Sequence, residues 1–338
     1  MKKIGIVIIA HSRYKCFSKV LQNLKNCDLS DFEVCIFIDG PRSDKESKLV
    51  NKSAEYAKNF AASIDSKVCI YISRKNKGLQ KNITESISFA FQTYESCIVL
   101  EDDILISNKA LQFCRSNLIK YKDDPSVSSI CLNNPVRSVI SHNSFKSYRM
   151  TCWGWACWRS TWINMLSVES VRKKLDIMSD DSLHDYKLHV GYDSYNRLID
   201  AVHNNRDIWA CRWIFSQYII GGKSLISSSN LSVNIGLNTN SENYSKSMPN
   251  IVFALYTSIV CSSIFPRSII RVLVKYLHLP SSIEFDNLLL VSYFSSRSLT
   301  LFVKNYQMSP LKRWILALLV LLSLPLKSQL KPLRGFLK

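Results

Sequence analysis

Three consecutive acids, Glu101, Asp102 and Asp103, follow the apolar run Cys97–Leu100 and precede a second one, Ile104–Ile106. Adjacent carboxylates repel one another, and burying any of them without a partner is costly. The position therefore calls for positive charge. A divalent cation would supply it, because hard oxygen ligands suit Mg2+ or Mn2+, which keep open positions for substrate phosphates. An acidic, solvated loop is the plain alternative, and the apolar context on both sides weighs against it.

The elements that must place these acids can be read from periodicity. Ile4–Ala10, Glu33–Asp39, Lys67–Ser73, Cys97–Asp103 and Ser126–Leu132 are branched or apolar runs that predict strands. Between them, Tyr14, Phe17, Leu21 and Leu24 share one helix face. So do Val50, Ala54, Ala57 and Ala61; then Ile83, Ile87, Phe91 and Tyr94; then Leu111, Cys114, Leu118 and Tyr121. Strand–helix alternation with near-continuous apolar strands predicts an α/β fold, with a mostly parallel sheet covered by helices on both faces. In such sheets ligands bind beyond the carboxyl ends of the strands. His11 to Arg13, Asp39, Arg74 and the three acids all fall there and should face one crevice. The middle of the chain, from about 148 to 236, is aromatic and less regular. The polar stretch Gly236–Asn250 separates it from an apolar, basic tail.

The totals agree with a globular enzyme-sized chain. Its 338 residues are 47% hydrophobic and 21% charged, which excludes wholesale disorder. A net charge of +18 points to an anionic partner. From Pro266 onward eleven Lys and Arg face only Glu284 and Asp286, a net +9. The eleven cysteines show no pairing rhythm and no CxxC, as expected of reduced thiols in a cytosolic protein. The opening MKKIGIVIIAHSR has too short an apolar core for a signal peptide and reads as a first strand.

Five motifs in order, NKGLQKNI, CIVLEDDILIS, WGWACW, DIWACRW and NIG, resemble those of bacterial GT-A-fold glycosyltransferases, family 2-like and related to N-acetylglucosaminyltransferase I. The resemblance covers about residues 4 to 240. It implies a Rossmann-like GT-A domain over 1–250, with a nucleotide-sugar half at about 1–135 and an acceptor half at about 136–250. A helical extension would follow over 251–338. It further implies a nucleotide-sugar donor, a UDP-sugar by analogy, with Asp103 as the metal ligand, Asp102 near the ribose and Glu101 near the transferred sugar. Asp39 matches the acid that hydrogen-bonds uracil, and also reads as the turn former of DGPR. Arg13, Arg74 and Gly78 lie where the family approaches the nucleotide, although either Arg could equally be a surface charge. Gly154 would let the backbone come close under the donor sugar. Trp153 or Trp155 would offer a ring face to it, or pack in the core. Asp207 matches the catalytic base of inverting members, or serves as an ordinary helix N-cap before Trp209, Arg212 and Trp213. The chain departs from the family after NIG, where a His near the metal is often found and none stands here.

Trp314–Leu326 is thirteen apolar residues, short of the roughly twenty that span a bilayer. Its basic flanks suit an interfacial anchor on an anionic membrane; a helical subdomain or a dimer contact is the alternative. The expectation is a metal-dependent (Mn2+ or Mg2+) inverting transferase, peripheral on the inner face of the cell membrane. It would act on a glycan or lipid-linked glycan acceptor in surface polysaccharide or lipopolysaccharide synthesis. A sugar nucleotidyltransferase would carry a Gly-rich loop after the first strand, which AHSRYKCFSK lacks. A non-catalytic, membrane-associated binding protein on the same fold is the other reading. Nucleic acid is not expected, since the basic residues concentrate beside apolar ones.

Overall fold

The computed structural model describes residues 3–134, 144–204 and 208–236. The first half alternates as its periodicity predicts: β1 (Ile4–Ala10), α1 (Tyr14–Lys25), β2 (Phe32–Ile38), α2 (Asp44–Ala61), β3 (Val68–Ile72), α3 (Leu79–Thr93), β4 (Ser96–Glu101), β5 (Ile104–Ile106), α4 (Asn108–Lys120) and β6 (Val127–Cys131). The second half holds β7 (Phe145–Ser147), β8 (Trp155–Trp158), α5 (Arg159–Trp162), α6 (Val168–Ile177), α7 (Asp180–Val190), α8 (Tyr192–His203), α9 (Trp209–Ile219), β9 (Lys223–Ile226) and β10 (Ser232–Asn234).

Among the described residues the main sheet has eight strands in the order β3-β2-β1-β4-β8-β6-β9-β7. β1 runs parallel to both β2 and β4, and all seven of its residues are buried. Its side chains alternate between two cores, as a period of two requires. Ile4, Ile6 and Ile8 pack with Phe17, Leu21, Val50 and Leu118 on one face. Val7 and Ile9 pack with Ile83, Ile87, Trp155 and Trp213 on the other. The fold is thus the mixed α/β architecture expected, with two additions. β8 is inserted antiparallel between β4 and β6, and β7 closes the edge antiparallel to β9.

At the sheet edge Tyr71 and Ile72 of β3 are 38% and 45% exposed, because β3 pairs on one side only; Tyr71 still stacks on Phe37 and packs against Phe89 of α3. β4 ends at Glu101; Asp102 and Asp103 form a turn rather than extending the strand, and the chain continues as β5. β5 pairs antiparallel with β10, which returns residues 232–236 to the acids. Among the described residues no helix is long and apolar enough to cross a membrane. The expected C-terminal helical extension and its apolar basic segment lie outside the described residues.

Candidate functional site

β1, β2 and β4 end side by side, and their next residues make the site. Asp39 N–H donates to Ala10 O at 2.9 Å, so the β1–β2 ladder carries on one step past the strands. Arg13 stands at the N-cap of α1, where the chain turns out of β1. Its guanidinium reaches across to the end of β4. Nη1 donates to Asp103 Oδ2 at 2.7 Å, and Nη2 donates to Asp102 Oδ1. Asp102 and Asp103 are buried, at 3% and 6% exposure, and Glu101 is partly buried beside them. The positive charge that the acids call for therefore comes first from Arg13.

One guanidinium does not balance three carboxylates. Burial, with Asp103 and Asp102 adding repulsion, pushes Glu101 up to about 8. Burial likewise raises Asp102 to about 6, although Arg13 and a hydrogen bond from the His11 backbone pull it back. Burial alone would lower the Arg13 pKa; Asp102 and Asp103 override it and keep the guanidinium charged. Two of the three carboxyls thus hold their protons to unusually high pH, as expected of a site short of positive charge.

The main chain closes over this cluster. Ile235 N–H donates to Asp103 O at 2.9 Å, continuing the β5–β10 pairing. Gly236 lies against the Asp103 carboxylate so tightly that a Cβ there would come within 2.1 Å of Oδ2. The NIG motif is therefore in contact with the acids, and only glycine fits at its last position.

Asp39 has a different environment. Oδ1 accepts from Gly40 N at 2.8 Å and Lys77 N at 2.9 Å. Oδ2 accepts from Gly78 N at 3.0 Å and Asn76 Nδ2 at 3.1 Å. With 3% exposure and both oxygens engaged, Asp39 clamps the loop that opens α3, as its turn-forming reading has it. His11 links the two clusters: its Nε2 lies 3.0 Å from Gly40 O, and its backbone supports Asp102. Asn76 also donates to Gly40 O, at 2.8 Å. Gly78 takes φ +78 as the N-cap of α3, which a residue with a Cβ would adopt only under strain. Arg74 is exposed in the same loop.

The aromatic residues divide. Trp155 is 1% exposed and stacks on Trp209 with centroids 5.5 Å apart, so it is core and offers no face to a ligand. Its side chain points into the α3–α9 face of the sheet, which excludes the donor-facing alternative for this residue. Trp153 is only partly buried. Gly154 between them has φ +81, and a Cβ would meet Leu132 Cδ1 at 3.0 Å; the glycine is needed for the bend into β8. Trp209 and Trp213 are buried on α9 as their spacing predicts, and Arg212 Nη1 donates to Leu166 O at 2.6 Å. Asp207 lies outside the described residues.

Sequence reasoning missed Asn76 and Gln80. Gln80 Oε1 accepts from Trp209 N at 2.6 Å, tying the start of α9 to α3. Both residues stand in or beside NKGLQKNI, so the motif carried them without showing their roles.

Among the described residues no three His, Cys, Asp or Glu side chains converge as a complete metal cage. The acids nonetheless fit a hard cation held in part by substrate. Mg2+ and related ions commonly take one or two carboxylates and fill the rest with phosphate and water, and this cluster carries surplus negative charge.

No family model matches the chain, and no curated protein does. Among solved structures it is similar to a mannosyltransferase from Pyrobaculum calidifontis in complex with GDP-Man and Mn2+, at 12% identity over 100% of this chain and 85% of that one, TM-score 0.41. It is also similar to S. aureus TarS 1-349 in complex with UDP, at 10% identity over 81% and 70%, TM-score 0.41. A third is GalNAc-T7 with UDP, GalNAc and Mn2+, at 11% identity over 79% and 52%, TM-score 0.44. Likenesses this distant do not say what the chain binds.

Proposed function

We propose that the chain is a metal-dependent, inverting glycosyltransferase of GT-A type that moves a sugar from a UDP-sugar to a glycan or lipid-linked glycan acceptor. The observation that supports this is the gathering of Glu101, Asp102 and Asp103 at the carboxyl end of a central parallel strand, with the Arg13 guanidinium bridging two of them. Asp103 would hold Mn2+ or Mg2+, Asp102 would face the ribose and Glu101 the transferred sugar. A bound metal would supply positive charge for the leaving diphosphate. Arg13 is placed to add its guanidinium to the same phosphates, where a planar fork of donors is well suited. Asp39 acts by holding Lys77 and Gly78 in place, which fixes the rim of the donor pocket. Trp153 is the remaining ring candidate for the sugar. Asp207 keeps its proposed role as the base that takes the acceptor proton.

We further propose the division into a transferase domain over 1–250 and a basic tail over 251–338 that rests on an anionic membrane. This suits acceptors in bacterial surface polysaccharide or lipopolysaccharide synthesis. Calorimetric titration of UDP, GDP, CMP and dTDP, with and without Mn2+, into wild type and Asp103→Ala tests the reading. UDP binding that needs Mn2+ and disappears in the variant is the expected result. A folded protein that binds none of the four would overturn it.

A further inference from the structure

Arg13 is where the site and its ligands compete for one cation. Its guanidinium spans two carboxylates from different directions, donating to Asp103 Oδ2 at 2.7 Å and to Asp102 Oδ1. Both acids are buried, whereas the Arg13 side chain is 32% exposed and can leave. Arg13 starts α1 by its backbone, with Phe17 N donating to Arg13 O at 3.0 Å, so the side chain can swing without disturbing the helix. Gly236 and the Ile235–Asp103 backbone bond also lie against Asp103.

We propose that Arg13 is a placeholder cation: it occupies Asp102 and Asp103 until a nucleoside diphosphate draws it away, so that metal binds only together with the nucleotide. This rests on Asp103 being the metal ligand. The physical reason is exchange of like for like. A metal arriving alone must displace a charge-assisted pair and strand a guanidinium. A metal arriving with a diphosphate brings the anion that Arg13 takes in return. Asp102 and Asp103 then never go without positive charge, and the buried acids stay compatible with folding before any ligand arrives.

The test is Mn2+ binding followed by electron paramagnetic resonance, on the full chain, with Mn2+ alone and then with UDP, GDP, CDP and dTDP in turn. Wild type is expected to bind Mn2+ only in the presence of a nucleoside diphosphate. Arg13→Met is expected to bind Mn2+ alone, tighter than wild type by about tenfold or more. Arg13→Lys keeps the charge but can serve only one carboxylate at a time, so it should fall between and guards against a folding defect in the Met variant. If wild type and both variants bind Mn2+ alone equally well, or if neither variant exceeds wild type, the placeholder role is overturned. Nucleotide-dependent binding in wild type would then still support the donor site. If Arg13→Met takes up Mn2+ alone but no nucleoside diphosphate helps wild type to do so, Arg13 only blocks the metal, and the placeholder role and the donor reading are overturned together.

Discussion

Two acidic sites lie at neighbouring strand ends, and they are built in opposite ways. Asp39, after β2, accepts from Gly40, Lys77, Gly78 and Asn76 and has little left to offer. The acids after β4 share one guanidinium, and Glu101 and Asp102 have pKa values raised to about 8 and about 6. A carboxylate saturated by backbone N–H groups is part of the scaffold. Carboxylates left short of positive charge are held ready for something not yet present. Burial alone does not distinguish them, since Asp39, Asp102 and Asp103 are all under a tenth exposed. The supply of partners does.

The difference can be broken first at Asp103. Asp103→Asn should leave the fold intact and lower metal-dependent nucleotide affinity by roughly two orders of magnitude, read by calorimetry. Asp39→Ala should do the reverse. It strands the N–H groups of Gly40, Lys77 and Gly78, and we expect a loss of roughly 2–4 kcal/mol in denaturant unfolding. An Asp39→Ala protein as stable as wild type would remove the contrast.

The third prediction concerns pH. In the unfolded chain Glu101 and Asp102 release their protons near 4.5 and 3.8; in the folded one they hold them to about 8 and about 6. Across that window the folded state binds more protons, so stability is full below the unfolded values and falls as pH rises through the folded ones. Without divalent cations, thermal unfolding should show stability falling from about pH 5 and levelling off above about pH 8. Glu101→Gln should keep only the part of the fall that Asp102 causes, below about pH 7. The smallest effect belongs to Gly236→Ala, whose methyl group would press on Asp103 Oδ2. A weakening of nucleotide binding by about tenfold with little change in unfolding would mark it as a site effect.

Much of the first half was legible because its strands are five to seven residues of branched or apolar side chains and its helices keep one apolar face. β5, β7 and β10 were not, because three residues are too few for a period to register. The pairing of β10 with β5 joins segments far apart in sequence, and no local pattern announces it. α6 and α7 carried a readable signal that went unused. Ser167 and Ser179 each accept from the N–H three residues on, the spacing of a side-chain cap. In the site, the run of acids and the glycine of NIG were visible as types. The Arg13 bridge was not, since it depends on β1 and β4 being neighbours with their ends in line.

The packing beneath the site has an optical consequence. Four of the seven tryptophans, Trp155, Trp162, Trp209 and Trp213, form a chain of indole contacts with centroids 5.0–6.2 Å apart. Rings this close share their excitation, so emission and near-ultraviolet dichroism should be dominated by one buried spot. Trp155 stands opposite Val99, two residues before Glu101 on β4. The molecule therefore carries an unlabelled reporter of the packing between β8 and α9.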